Sequence, residues 1–162
     1  MMIEVNWGPY RLRCDPEATR LALEAVAQGA PELCACAACR NFIAARALVY
    51  TEPHVALLEQ LGVRPGKEAE VYTHGEMESG LHRFEGFTHF VGELLEGRDA
   101  PPWPITEHVS LWLQSTGIGL VPATFGEVPL VQVEFIAELP WLIEDPPPGF
   151  RKAGEEPAER IS

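Results

Sequence analysis

Near the N-terminus the apolar positions repeat first every second residue and then every third or fourth. Tyr10, Leu12 and Cys14 alternate with Arg11 and Arg13, the period of a strand with one buried face, which predicts that Cys14 points inward. Asp15-Pro16-Glu17 then supplies a capping side chain, a proline at the first helical position and a first-turn acid. Ala18, Leu21, Ala22, Ala25 and Val26 follow at helical spacing up to Gly29, so a helix is expected over 16–28. The alanine-rich stretch carrying Phe42, Ile43 and Ala47 on one stripe predicts a second helix beginning near Cys39. A third is expected over Pro53–Leu61, with Thr51 as its cap and Gly62 as its stop.

From Glu68 onward the pattern changes to strands. Segments 70–74, 81–84, 87–91, 109–113 and 130–137 are rich in Val, Phe, Leu and Tyr and are separated by loops of Gly, Pro and Glu. In Val109–Gln114 and Val131–Phe135 apolar and mostly polar residues alternate, as in a sheet with one covered and one wet face. The order predicts an α+β fold, N-terminal helices packed on a largely antiparallel sheet. Pro101-Pro102-Trp103-Pro104 reads as a surface connection, because proline cannot sit inside a sheet. Pro146-Pro147-Pro148 reads as the end of the domain. A single domain over 1–148 is expected, with a polar, aperiodic and disordered tail over 149–162.

A chain of 162 residues fits one domain with an ample core. Its mean hydropathy is −0.03, and no apolar run nears the roughly 18–20 residues that cross a bilayer. The start, Met1 to Trp7, has neither a basic region nor an apolar run of the export type, which predicts a cytoplasmic protein. A net charge of −12, from 24 acidic against 12 basic residues, repels phosphate backbones and anionic lipid and argues against nucleic acid and membranes. What it admits is a basic protein partner, or no more than solubility.

Compartment sharpens the meaning of four cysteines, since cytoplasmic thiols are kept reduced and serve as ligands, redox centres or core residues. Cys34, Cys36 and Cys39 form C-x-C-x-x-C, three sulfurs within six residues. Zinc takes about four tetrahedral ligands, and short C-x-x-C chelates are its usual knuckles. Cys14 is the natural fourth ligand, because its strand leads into the helix before the cluster; a histidine is the alternative. The second, distant C-x-x-C of a typical zinc site is missing. A redox reading uses Cys36 and Cys39 as a dithiol near a helix N-terminus, where the dipole and Arg40 would stabilise a thiolate. The plainest reading is that small cysteines among alanines pack between helices.

Other constellations are weaker. Two strands meeting at Gly86 would bring His82 and His89 across a hairpin, with Glu85 or Glu93 orienting an imidazole, although histidines beside Phe and Val usually pack in a sheet. Gly117-Ile118-Gly119 lacks the third glycine and the helix of a dinucleotide loop. His54, His74 and His108 read as surface or structural residues. Trp103, Trp112 and Trp141 could form an aromatic patch or anchor loops.

The segments Cys34-Ala35-Cys36-Ala37-Ala38-Cys39-Arg40-Asn41-Phe42, Ala69–Tyr72, Gly86–Glu93 and Leu130–Trp141 together resemble a set of uncharacterised bacterial proteins. These share C-x-C-x-x-C-x-N-F and a later aromatic-His-Phe-x-Gly segment, and the similarity spans positions 10–143. The resemblance implies that the cysteine cluster and His89 belong to one recurring unit; it carries no activity. The sequence therefore points to a small non-enzymatic protein with a structural zinc on Cys34, Cys36, Cys39 and Cys14. A thiol oxidoreductase using Cys36 and Cys39, or an acidic interaction protein, are the alternatives.

Overall fold

The computed structural model describes residues 1–149; apart from Gly149, the expected tail over 149–162 lies outside the described residues. The N-terminal alternation extends further than expected and yields two strands, β1 (Ile3–Trp7) and β2 (Tyr10–Cys14), paired antiparallel through a tight turn at Gly8. Asp15 caps α1 (Pro16–Glu24) by accepting the Ala18 amide at 3.0 Å. The helix is shorter than the expected 16–28, ending one turn early. The next residues instead lead to a separate five-residue helix, α2 (Ala30–Cys34), opened by Pro31 near its start. Then come α3 (Ala37–Val49) and α4 (Glu52–Leu61). Gly62 ends α4 at φ +83, and a Cβ there would lie 2.1 Å from the Pro16 carbonyl oxygen, so glycine also permits the close approach of α1.

The remaining strands are β3 (Glu70–Glu76), β4 (His82–Glu96), β5 (Trp103–Thr106), β6 (Val109–Gln114) and β7 (Leu130–Leu139). All seven pair antiparallel in the order β1-β2-β4-β7-β6-β5, with β3 also on β4. The expected α+β class, helices against an antiparallel sheet, is what forms. Among the described residues no helix is long and apolar enough to cross a membrane.

Two expectations are corrected. Gly86 is no turn: it lies within the single 15-residue strand β4, directly opposite Phe135. A Cβ there would meet Phe135 Cζ at 2.5 Å and Val71 Cγ2 at 2.9 Å, so the glycine makes room for a ring in the core instead of bending the chain. Nor is the segment 101–104 purely a connection, since Trp103 and Pro104 belong to β5. That strand ends the sheet, where a proline removes no ladder bond.

Strand β4 is the spine. β7 runs along one side of it, while on the other side β3 pairs with 82–87 and β2 with 92–96. Between those two partners the start of α1 fills the gap: Asp15 N donates to Val91 O at 2.9 Å and Val91 N donates to Thr19 Oγ1 at 2.8 Å. Thus the exposed ladder positions are satisfied by a helix terminus. The inner face carries Phe84, Phe90 and Leu94 of β4 with Val131, Val133, Phe135 and Ala137 of β7, and against it pack Phe42 and Val49 of α3 and Leu57, Leu58 and Leu61 of α4. Phe42 stacks on Phe135 with centroids 5.6 Å apart.

Beneath the helices lies one charged network. Arg46 of α3 donates to Glu68 at 3.0 Å and pairs with Glu32 of α2 at 2.6 Å, while the Tyr50 hydroxyl donates to Glu68 at 2.6 Å. The Glu68 side chain is 0 % exposed. A carboxylate so placed needs these partners, because an unpaired buried charge costs several kcal/mol. The network ties α2, which carries Cys34, to α3, which carries Cys39.

Candidate metal centre

Cys34, Cys36 and Cys39 are brought together, each sulfur within 4.8 Å of the others. Local backbone does this. Cys34 ends α2, and Ala35 follows in the left-handed region at φ 54, a conformation rarely taken by a residue with a Cβ. The reversal lets Cys34 and Cys36 face the same side as Cys39. Arg40 holds it, its Nε donating to the Ala35 carbonyl at 3.2 Å while the same guanidinium pairs with Asp145. Cys36 is the N-cap of α3, and its sulfur accepts the Cys39 amide at 3.5 Å.

The three thiols differ in surroundings. Cys34 and Cys36 are exposed, whereas Cys39 is buried. At Cys36 burial acts to raise the pKa, but the Cys39 amide and the neighbouring thiols favour the thiolate more, and the value falls below that of an ordinary cysteine. For Cys39, burial and then the adjoining Cys36 and Cys34 sulfurs push it well upward. A thiolate at Cys36 with a neighbour able to share its charge is the donor chemistry of a soft metal site.

Cys14, the expected fourth ligand, stands apart. Its side chain is 0 % exposed in the inner core beside Leu12, and its sulfur lies 3.7 Å from the Gln60 carbonyl. Burial and the Asp15 charge raise its pKa to about 11. The alternation of β2 turns Cys14 toward the sheet's packed side and away from the loop that carries the cluster. Among the described residues no other cysteine, histidine or carboxylate joins the three sulfurs.

The residue that sequence reasoning missed is Asn41. It is 0 % exposed; its Nδ2 donates to Pro140 O at 3.1 Å, and its Oδ1 accepts the Leu142 amide at 2.6 Å. With Arg40 on Asp145, it fastens the first turn of α3, and so the cluster, to the chain leaving β7. An asparagine on the otherwise apolar stripe of a helix was the available signal.

The histidine pair does not form. His82 and His89 lie seven residues apart on one continuous strand, so their side chains take opposite faces. His82 sits on the inner side against Trp141, ring centroids 5.1 Å apart. On the outer face, His89 is 0 % exposed between Phe87 and Phe125, with no hydrogen-bond partner on either ring nitrogen. Burial lowers its pKa, opposed by the nearby Gly119 backbone and Gln132 amide. Glu93 is taken by Arg13 at 3.2 Å. His54 is buried with Nδ1 2.8 Å from the Val49 carbonyl, and His108 sits 3.2 Å from Glu138. The tryptophans are dispersed: Trp103 covers Gly8, Trp141 donates to Asp145 O at 2.7 Å, and Trp112 lies on the outer face.

That outer face also bears a polar group not foreseen. Tyr72 donates to Glu85 Oε2 at 2.6 Å and stands 3.2 Å from Glu134 Oε1, while Glu85 Oε1 accepts from Arg83 at 3.0 Å and has His74 Nε2 3.1 Å away. Burial and then the Glu85 charge raise the Glu134 pKa; at Glu85 burial is outweighed by Tyr72 and Arg83, and the value falls. No family model, curated protein or solved structure matches the chain.

Proposed function

We propose that Cys34, Cys36 and Cys39 bind one zinc ion, and that the ion is structural, locking α2 to the start of α3 in a non-enzymatic protein. The observation that carries this reading is the convergence of three sulfurs within 4.8 Å. The edge of a tetrahedron with zinc–sulfur bonds of about 2.3 Å is roughly 3.8 Å, so small side-chain adjustments suffice. The Cys39 amide on the Cys36 sulfur supports it, since such donors steady a thiolate ligand. With two of the cysteines exposed, the site can admit the fourth donor, from outside these three residues, that a structural zinc takes.

Elemental analysis of untagged protein should give one zinc per chain, lost in Cys36→Ala, and chelation should lower the melting temperature because metal binding is coupled to folding. Metal-free protein with unchanged thermal stability would overturn the proposal. A second reading is favoured by a separate feature: Cys36 is an exposed helix N-cap one turn before buried Cys39, the placement of an attacking and a resolving thiol. It predicts rapid alkylation of Cys36 without any chelator and a Cys36–Cys39 disulfide on mild oxidation. Thiols that react only after chelation would exclude it.

A further inference from the structure

The outer face of the sheet holds a cleft of about 480 Å³ that the cysteine site does not use. Its floor is Trp112 of β6 and Ile136 of β7, and its charged lining is Arg83 and Glu85 of β4 with Arg98 and Asp99 from the loop between β4 and β5. The volume is that of small-molecule sites, which are largely apolar with a few placed polar groups.

The charges divide into a fixed pair and a free pair. Glu85 accepts from Tyr72 on one oxygen and from Arg83 on the other, so it orients the Arg83 guanidinium and offers little to a ligand. Arg98 and Asp99 make no ion pair or side-chain hydrogen bond among the described residues, and both are exposed at the rim. Next to the floor, Glu134 lies opposite Trp112, is 4 % exposed, and has the Tyr72 hydroxyl 3.2 Å from its Oε1, so it is turned to the sheet and not to the rim. What remains is one cation and one anion without protein partners, both hydrated at the rim, above an apolar floor.

We propose that this cleft binds an apolar α-amino acid as its zwitterion, with the carboxylate on Arg98 and the edge of Arg83, the ammonium on Asp99, and the side chain on Trp112 and Ile136. A guanidinium presents paired donors matched to a carboxylate, and an indole face accepts an apolar or aromatic side chain. A simple anion would be repelled by Asp99 beside it, and a simple cation by Arg98. The ligand that meets both with opposite charge carries both signs close together.

The test is an NMR shift titration of the full chain, as purified, with L-phenylalanine and L-leucine as probes. Two compounds each missing one charge, 3-phenylpropionate and phenethylamine, run beside them. Expected are saturable shifts of the Trp112 indole and of residues 98–102 with a Kd below about 10 mM, and at least tenfold weaker binding of both one-charge analogues. Arg98→Met and Asp99→Asn, exposed changes that leave the core alone, should each weaken phenylalanine binding by tenfold or more. Absence of saturation with either amino acid, shifts elsewhere than this cleft, or 3-phenylpropionate binding as tightly as phenylalanine would overturn it. The readout does not depend on the cysteines, so it stands whether or not zinc is found.

Discussion

Asn41→Ala removes one side chain and exposes how far the fold depends on the latch beside the cysteines. The amide makes two hydrogen bonds across about a hundred residues of sequence, at 3.1 Å to Pro140 O and 2.6 Å from Leu142 N. Alanine leaves that carbonyl and amide without their partner and opens a small void against a side chain position that is 0 % exposed. A stranded buried polar group costs about 1–3 kcal/mol. Leu142 is itself exposed, so water would rescue part of its loss, and the total comes to about 2–3 kcal/mol for the two groups together. For a chain of this size that is a fall in melting temperature of roughly 5–10 °C.

Urea unfolding followed by circular dichroism measures the loss directly, and a companion Asn41→Asp sharpens it. Aspartate keeps the acceptor for Leu142 but turns an anion toward the Pro140 carbonyl, so at neutral pH it should destabilise more than alanine. Neither variant touches a sulfur, so the metal content of the folded protein should equal that of the parent. A loss below about 0.5 kcal/mol in Asn41→Ala, the size of an ordinary surface change, would refute the claim that this residue fastens the cluster to the sheet.

What could be read from the sequence was what is encoded locally. The C-x-C-x-x-C spacing puts three sulfurs within six residues, and one chain reversal at Ala35 brings them together. Asp15 and Gly62 mark helix ends by side-chain capping and a left-handed backbone, both properties of the residue itself. The expected covered and wet faces alternate along β6, whereas on β7 the polar face is covered too, Gln132 and Glu134 being 5 % and 4 % exposed. Failures came where a distant partner decides. Gly86 looks like a turn until Phe135 is placed opposite it. For Cys14 the alternation of β2 already turns the side chain inward, and its place opposite Gly92 in the core bears out that local reading over the ligand role. The group formed by Tyr72, Glu85 and Glu134 joins three strands from widely separated parts of the chain, and no local pattern announces it.

Two further predictions concern buried polar groups. Glu68→Gln takes the negative charge from Arg46 at a site that is 0 % exposed while Glu32 still partners the guanidinium; a loss of about 2–4 kcal/mol in urea unfolding is expected, and a change under about 1 kcal/mol would show that the network carries little. His89→Leu works in the opposite sense. Both ring nitrogens are without partners and burial holds the pKa below the ordinary 6.5, so the native imidazole resists protonation that the unfolded chain accepts. The unfolded state therefore binds more protons below about pH 6.5, and stability falls as the pH drops through that value toward the lowered native one. Above it the contribution is full and flat. Leucine removes both the stranded nitrogens and the titration: it should be neutral or stabilising by about 1 kcal/mol at pH 7.5, with the advantage over the parent growing as the pH falls toward 5. His54, whose pKa burial also lowers, acts equally in both proteins and cancels in the comparison. Urea midpoints measured for parent and variant from pH 5 to pH 8 decide the matter: curves that stay parallel across that range would mean that His89 is not held neutral in the folded protein, and that its two nitrogens find partners after all.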